Sequence, residues 1–268
     1  MVKTMSNQTI VSTVYGPVHS WREGESLGID LILSTSVCSF NCIYCQLGAI
    51  QNVTNQRRIF VPTEQVICDF KASQWRKADI LTFSGSGEPT LALNLGEVSR
   101  MIAELAPQPQ LVLTNGALLN DKNVIADLQS VDRVYIKLDA GNEKTFQRIN
   151  RPVDGITLKQ VVQNILAFKQ SYSGYMGLQI MVMPNNQAEI DEVSRLVEQI
   201  QPDEAQLNTP TRPYAKEWNV ASRGGHQAKD RPYQSVPLKT ISPDAAEAFA
   251  NTLRERTGVR IRPVHTPS

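Results

Sequence analysis

Three cysteines crowd into one short stretch, "SVCSFNCIYCQLG" (36–48), of a 268-residue chain that contains only one other, Cys68. Their spacing, Cys38-x3-Cys42-x2-Cys45, brings three soft thiolate donors together, a set that suits tetrahedral zinc or an iron–sulfur centre. A structural zinc site closes its shell with a fourth Cys or His, and none stands nearby. Cys68 lies among Val66, Ile67 and Phe70 of an amphipathic pattern and reads as a buried apolar cysteine. His19, His226 and His265 are remote in sequence and read as surface or loop residues. Three thiolates therefore imply an incomplete shell. In a [4Fe–4S] cluster they leave one iron open to a ligand from outside, much as a catalytic zinc keeps one position free.

The elements that must position these donors follow from short apolar runs alternating with longer amphipathic ones. Strands are expected at 28–35, 79–85, 110–116, 133–139, 177–184 and 204–210, most of them rich in Val, Ile and Leu as buried parallel strands are. Helices are expected over 63–75, 95–105, 120–129, 157–170 and 188–200, several opening on a capping Thr or Asn. A last helix over 242–258 has Ser242 at its cap, Pro243 at its first position and Gly258 at its end. Repeated βα units with right-handed crossovers predict an α/β fold, either a barrel or an open sheet. The cysteines then fall in the loop after the first strand, at the end where such folds place their chemistry. Residues 210–240, with Gly224-Gly225 and four prolines (Pro210, Pro213, Pro232, Pro237), read as a long loop inside one domain spanning 1–268.

Composition narrows the class. With 41% hydrophobic and 20% charged residues the chain has ample material for a packed core. A net charge of +1 supplies no global pull toward nucleic acid or an anionic membrane. One local bias stands out: from Arg212 to Arg262 there are ten basic residues (Arg212, Lys216, Arg223, Lys229, Arg231, Lys239, Arg254, Arg256, Arg260, Arg262) against five acidic (Glu217, Asp230, Asp244, Glu247, Glu255). The N-terminal "MVKTMSNQTIVSTVYG" has no signal-peptide core, and no run is long enough to span a membrane. Few, clustered cysteines fit a reducing compartment, so a cytoplasmic location is expected.

Polar residues recur where the strands end. In "SGSGEPT" (84–90), Gly85 and Gly87 permit backbone conformations and close ligand approach that a Cβ would hinder, and Glu88 can accept from a ligand ammonium; a plain strand-to-helix turn is the alternative. "LTNG" (113–116) and "KLDA" (137–140) end the next two strands. Tyr135, Lys137 and Asp139 share one face of their strand, which in a barrel is the interior. A buried Lys–Asp pair is costly unless well bonded, so this one is either functional or an ion pair at the barrel rim. Asn208, Thr209 and Arg212 follow the sixth strand, where they can orient a ligand or, for Arg212, form a surface pair.

Taken together, the cysteine spacing with Tyr44 before the last cysteine, and the Gly-Glu-Pro segment, resemble the radical S-adenosylmethionine (radical SAM) superfamily. "YGPV" (15–18), "SLGIDL" (26–31), "CIYCQLG" (42–48) and "LNTPTRP" (207–213) resemble the branch of the wyosine-forming tRNA enzyme and its uncharacterised iron–sulfur oxidoreductase relatives. The resemblance runs from about Tyr15 to Arg212. It implies a partial (β/α)6 TIM-like barrel of parallel strands, with 213–268 as a loop and C-terminal helix extension. It implies a [4Fe–4S] cluster on Cys38, Cys42 and Cys45, and S-adenosylmethionine held by Tyr44, Gly85, Gly87, Glu88, Pro89, Asn115, Asp139, Asn208 and Arg212. Lys137 and Asp139 are the expected catalytic residues. An external flavodoxin-like or ferredoxin-like electron donor would drive cleavage to a 5′-deoxyadenosyl radical. The expected substrate is a small molecule or peptide, with RNA docked on the basic stretch as the alternative. The wyosine-forming relative uses a second cluster on additional cysteines, which this chain lacks, so the same two-cluster chemistry is not expected. The competing class is a non-catalytic zinc or iron–sulfur binding module, which predicts a fourth protein ligand and no affinity for S-adenosylmethionine. Several polar motifs converging on one end of a sheet favour the enzyme.

Overall fold

The structure, a computed structural model, describes residues 11–223 and 231–265. Its strands are β1 (Val14–Ser20), β2 (Gly24–Ile29), β3 (Val37–Cys38), β4 (Asn52–Val53), β5 (Ile80–Phe83), β6 (Gln110–Thr114), β7 (Arg133–Lys137), β8 (Tyr175–Met181), β9 (Glu204–Asn208), β10 (Tyr214–Ala215), β11 (Ser235–Val236) and β12 (Ile261–His265). Its helices are α1 (Thr63–Ala72), α2 (Leu95–Ala103), α3 (Lys122–Leu128), α4 (Glu143–Ile149), α5 (Leu158–Ser171), α6 (Ile190–Ile200) and α7 (Pro243–Thr257). Eight strands form one sheet in the order β1-β2-β5-β6-β7-β8-β9-β12. All its pairings from β2 onward are parallel, and only β1 runs antiparallel. This is the expected partial barrel, an open curl and not a closed ladder.

Alternation along the strands separates two faces. Leu81, Phe83, Val112, Val134, Ile136, Leu178 and Ile180 pack with the helices in the main core. Their neighbours Ile80, Leu111 and Tyr135 form a smaller apolar cluster on the other face, with Leu113 and Tyr175 against it. A side-chain period of two puts these sets on opposite sides of the sheet, so the inner face is free to be polar toward its upper end. Capping fixes where the outer helices begin. Thr157 and Gln160 form a capping box at α5, Ser242 caps α7 before Pro243, and Gly258 ends α7 with φ +65°.

Six expected strands are found in the expected order, and two more flank them. Both unforeseen strands, β1 and β12, contain proline (Pro17, Pro263) and lie at the two edges of the sheet, the positions where a residue lacking an amide donor is tolerated. The first expected strand, 28–35, ends early at Ile29, because the Asp30 carboxylate accepts from Ile32 N (2.9 Å) and Leu33 N (3.2 Å) and turns the chain away. Helix α4 was not expected from the pattern; its seven residues are too few to display a helical period. Cys68 is exposed, which corrects the expectation of burial: the inward face of α1 is Val66, Ile67 and Phe70, and position 68 points elsewhere on the helical wheel. His19 is exposed on β1 beside Glu25, as a surface residue is expected to be, and His265 is on β12. His226 and Gly224-Gly225 lie outside the described residues. Within 210–240 the described elements are the β10–β11 ladder and a short 3-10 turn, Val220–Arg223.

The segment beyond residue 213 is built into the same body, since α7 packs on α6 and β12 pairs with β9. Its basic excess is partly countercharge for acids elsewhere: Arg223 pairs with Asp30, Arg256 with Asp191 and Arg262 with Glu204. At the opposite end of the sheet from the cysteines, the β1–β2 turn folds against the strand beginnings. Glu23 accepts from Arg133 (2.8 Å) and Gln206 (3.1 Å), and Arg262 donates to the Arg22 carbonyl. Among the described residues no helix is long and apolar enough to cross a membrane.

The cysteine loop is laced to the end of β5 by backbone. Val37 N donates to Ser86 O and Glu88 N to Val37 O, both at 3.0 Å. Gly87 lies between them at φ +155°, and a Cβ there would stand 1.6 Å from the Val37 carbonyl oxygen. Gly87→Ala is expected to cost about 3 kcal/mol or more in urea unfolding through combined overlap and backbone strain. The control is Gly155→Ala, at φ +90° with nothing within 4 Å, where only the conformational penalty of about 1 to 2 kcal/mol applies.

Candidate active site

Cys38 ends β3, and Cys42 and Cys45 sit in the tight turn that follows, where Cys45 N donates to Cys42 O (3.1 Å) and Gly48 N to Cys45 O (3.0 Å). A second set of backbone bonds ties this turn to the end of α4: Asn41 N to Asn150 O (3.0 Å) and Ile43 N to Ile149 O (2.9 Å). The thiol loop is thus gripped from the β5 side and the α4 side before any ligand is considered.

All three cysteines are half-buried and line one cavity of about 530 Å³ inside the curl of the sheet. Tyr44, Gly85, Gly87, Glu88, Asn115, Lys137, Asn208 and Arg212 share its wall, so most of the residues expected from sequence do converge. Two amides aim at sulfur. Asn115 Nδ2 lies 3.6 Å from Cys38 Sγ, and Asn150 Nδ2 lies 3.5 Å from Cys42 Sγ; Phe40 N adds a third donor to Cys38 at 3.4 Å. Such donors favour the thiolate, but desolvation outweighs them. Burial pushes the Cys38 thiol well up, with Glu88 adding to the effect. It pushes Cys42 up to about 12, with Asp139 adding, and Cys45 up to about 11. Without a metal these sulfurs therefore hold their protons at neutral pH, and a metal centre that takes them as thiolates must release those protons. Among the described residues no three His, Cys, Asp or Glu side chains converge on a single-ion site. A tetrahedral zinc draws every sulfur to about 2.3 Å, whereas a cluster takes one thiolate per iron, and three cysteines around one cavity with amide donors on two sulfurs fit the second arrangement.

Two buried acids organise the wall. Asp139 is 2% exposed. Its Oδ1 meets Lys137 Nζ (3.1 Å) and Met181 N (2.8 Å), while Oδ2 accepts from Asn150 Nδ2 (2.9 Å) and from the Tyr44 hydroxyl. It bonds Lys137, Tyr44 and Asn150 from behind the cavity wall and so holds these three side chains in place. Glu88, at 3% exposure, accepts from Thr90 N (3.1 Å), Thr90 Oγ1 (2.7 Å), Thr114 Oγ1 (2.7 Å) and Asn115 N (2.8 Å). Oε1 takes three of these bonds, while Oε2 accepts only from Asn115 N and the side chain lines the cavity. Pro89 opens a buried 3-10 turn behind this wall. The space beside Gly85 is also filled by protein, since a Cβ there would meet Asp30 at 2.6 Å.

Sequence reasoning missed Asn150, which follows the undetected α4. It also missed the Asp30 knot, in which one carboxylate oxygen accepts from Ser86 N (3.1 Å), the Ser86 hydroxyl and Arg223 Nη1 (2.9 Å). A lone aspartate closing the apolar run "SLGID" was the available signal. Its partner lies 193 residues on, beyond any local pattern.

A mostly parallel, partly closed barrel with three thiols on the loop after its first parallel strand defines an enzyme with its chemistry at the C-terminal end of the sheet. The chain belongs to the radical SAM superfamily, whose family model matches residues 32–197. Enzymes of this superfamily use a [4Fe–4S] cluster. The chain is 41% identical over 262 residues to a UPF0026 protein of Synechocystis sp., a match covering 96% of this chain and 98% of that relative. Among solved structures, TYW1 with a lysine–pyruvate adduct bound superposes with a TM-score of 0.60 at 16% identity, covering 87% of this chain and 74% of the other. Streptococcus suis SuiB bound to S-adenosylmethionine superposes with a TM-score of 0.58 at 12% identity, covering 88% of this chain and 52% of that one. At these identities the two likenesses are of fold.

Removing the Asp139 carboxylate strands a half-buried cation and three other donors. Asp139→Ala is expected to cost about 3 to 5 kcal/mol of stability in denaturant unfolding. Lys137→Met leaves Asp139 its bonds from Met181, Tyr44 and Asn150 and is expected to cost about 1 kcal/mol. Equal losses would show that the pair, and not the hub, is what matters.

Proposed function

We propose that this chain holds a [4Fe–4S] cluster on Cys38, Cys42 and Cys45 and is a radical SAM enzyme acting on a small-molecule substrate. A reduced cluster held there would supply the one electron needed to cleave the sulfonium of S-adenosylmethionine to methionine and a 5′-deoxyadenosyl radical able to take a hydrogen atom from substrate. What carries the reading is the convergence of the three thiols with the strand-end residues Asn115, Lys137 and Asn208 on one interior cavity.

Each residue has a part that its surroundings support. Asn115 and Asn150 hold the Cys38 and Cys42 sulfurs by amide donors, which bias a bound cluster's potential as hydrogen bonds to sulfur do. Tyr44, its hydroxyl fixed by Asp139, presents its ring to the cavity as a surface on which a purine can stack. Lys137, 20% exposed and aligned by Asp139, is the cavity cation closest in sequence to this group and orients a bound anion or carbonyl. Asn208 adds a neutral donor and acceptor from the end of β9. The one-electron reductant comes from outside the chain, and a cavity sunk within the sheet excludes water from the reacting atoms. The RNA alternative leaned on the basic 212–262 stretch, and three of those charges are spent on internal partners.

Anaerobic reconstitution with iron and sulfide, then dithionite and S-adenosylmethionine, tests the reading. A full complement of cluster iron and formation of 5′-deoxyadenosine are expected. Replacement of Cys38, Cys42 or Cys45 by Ala is expected to abolish iron retention, while Cys68→Ala, on the exposed face of α1, keeps it. A protein that takes up zinc in place of iron and yields no 5′-deoxyadenosine would overturn the proposal.

A further inference from the structure

Helix α4 turns one face to the thiol loop and the other to solvent. Inward, Phe146 and Ile149 are buried, and the Phe146 ring meets Phe40, between Cys38 and Cys42 in sequence, edge-on at 5.4 Å. At the end of the helix Asn150 sets its amide 3.5 Å from Cys42 Sγ, while Asn41 N donates to both the Asn150 and the Arg151 carbonyl at 3.0 Å. Outward, Lys144 and Arg148 are exposed four residues apart, the spacing of neighbours on a helix surface, and Arg151, three further on, is exposed as well. None of the three forms an ion pair among the described residues, and Arg148 donates only to the neutral Asn185 carbonyl. The acids around them are engaged. Glu143 accepts from Leu158 N (2.8 Å) and Gln147 Nε2 (2.7 Å), Glu189 from Gly141 N (2.9 Å) and the Thr145 hydroxyl, Asp191 pairs with Arg256 and Glu192 with Arg195. Asp154, in the turn after Arg151, trims the positive excess without reversing it.

Two observations set this face apart from an ordinary solvated helix. No residue from 141 to 153 lines the cavity, so these charges do not act on a molecule bound inside it. Arg151 also holds φ +45°, a left-handed conformation that glycine adopts freely and a residue with a Cβ adopts at about 1 to 2 kcal/mol. The chain thus keeps a cationic side chain at a place where its backbone favours none, one residue from the amide that touches Cys42. We propose that Lys144, Arg148 and Arg151 form the docking surface for an acidic electron-carrier protein. One electron leaves the reduced carrier, which is oxidised by one equivalent, and enters the thiol site from the Cys42 side without crossing the cavity. Electron-transfer encounters are small and weak and rely on opposite charge for orientation and speed, which is what an outward cationic face with no apolar patch supplies. Nucleic acid is the less favoured occupant, because its reacting part must enter a cavity to which none of these residues contributes. This assignment rests on the proposed radical chemistry for the need of a carrier; the surface itself stands on its charge and on the grip of α4 on the thiol loop.

The test uses the full, metal-free chain and an acidic flavodoxin bearing a fluorescent label. Anisotropy titrations are run at about 0.01 M and about 0.15 M ionic strength, where charges are screened over about 30 Å and about 8 Å. Saturable binding is expected at the lower salt and a marked loss of affinity at the higher. The double variant Lys144→Glu/Arg148→Glu is expected to weaken low-salt binding about tenfold or more, which corresponds to about 1.4 kcal/mol. Lys71→Glu, exposed on α1 where that helix packs on β1 and α2, is the control and keeps wild-type affinity. Arg151→Gly removes a charge and relieves the backbone, so it should bind the carrier more weakly yet melt no lower than the wild type; a purely structural residue would not separate the two. No saturable binding at low salt, or equal affinity in the charge-reversed variant, overturns the surface. Bulk tRNA that binds with the same dependence on Lys144 and Arg148, and that the carrier fails to displace, also overturns it in favour of nucleic acid. Iron uptake and dithionite-driven 5′-deoxyadenosine formation are scored separately, so their failure removes the radical reading, whereas a missing or charge-independent titration removes this one.

Discussion

The contact on which the site depends is the approach of the Gly87 backbone to the carbonyl of Val37. With no room for even a methyl group, the strand end and the thiol loop run as one two-sided ribbon through paired amide bonds. Cys38 follows directly on that ribbon, and Asp30, bonded to Ser86 and to Arg223, pins the place where the loop leaves β2. The second grip, from the end of α4, fixes Cys42. Backbone does this work because the thiols themselves cannot. Buried and protonated, they repel no one and attract little, so their placement must be set by the chain around them.

The buried carboxylates follow the same logic. Asp139 and Glu88 each accept from protein donors on several elements. A charge carried into the interior is tolerable when donors meet it, and those bonds hold distant segments in register. Asp139 thereby joins β7, β8, the thiol loop and the end of α4, and Glu88 joins the ends of β5 and β6.

The sequence made the central strands legible because each is a dense apolar run between turns, and made the thiols legible because three cysteines at that spacing have few structural explanations. It concealed what depends on contacts across the chain. The edge strands carry prolines that locally argue against a strand, and only their place at the rim of the sheet makes them acceptable. Asn150 and Arg223 are ordinary polar residues until the fold sets them against Cys42 and Asp30. Cys68 was misjudged because hydrophobic neighbours in sequence are not neighbours in space on a helix. The partners of Glu88, from Thr90 to Asn115, are likewise set by the fold and not by the motif that contains it.

The prolines at the rim have a consequence for the molecule in a crowded solution. A curled sheet that does not close leaves two outer strands with amide and carbonyl groups directed outward, a template on which another chain can add itself. Pro17 in β1 and Pro263 in β12 each remove one amide donor from an edge strand. The barrel can therefore stay open enough to admit a ligand without offering an unbroken seam for edge-to-edge aggregation.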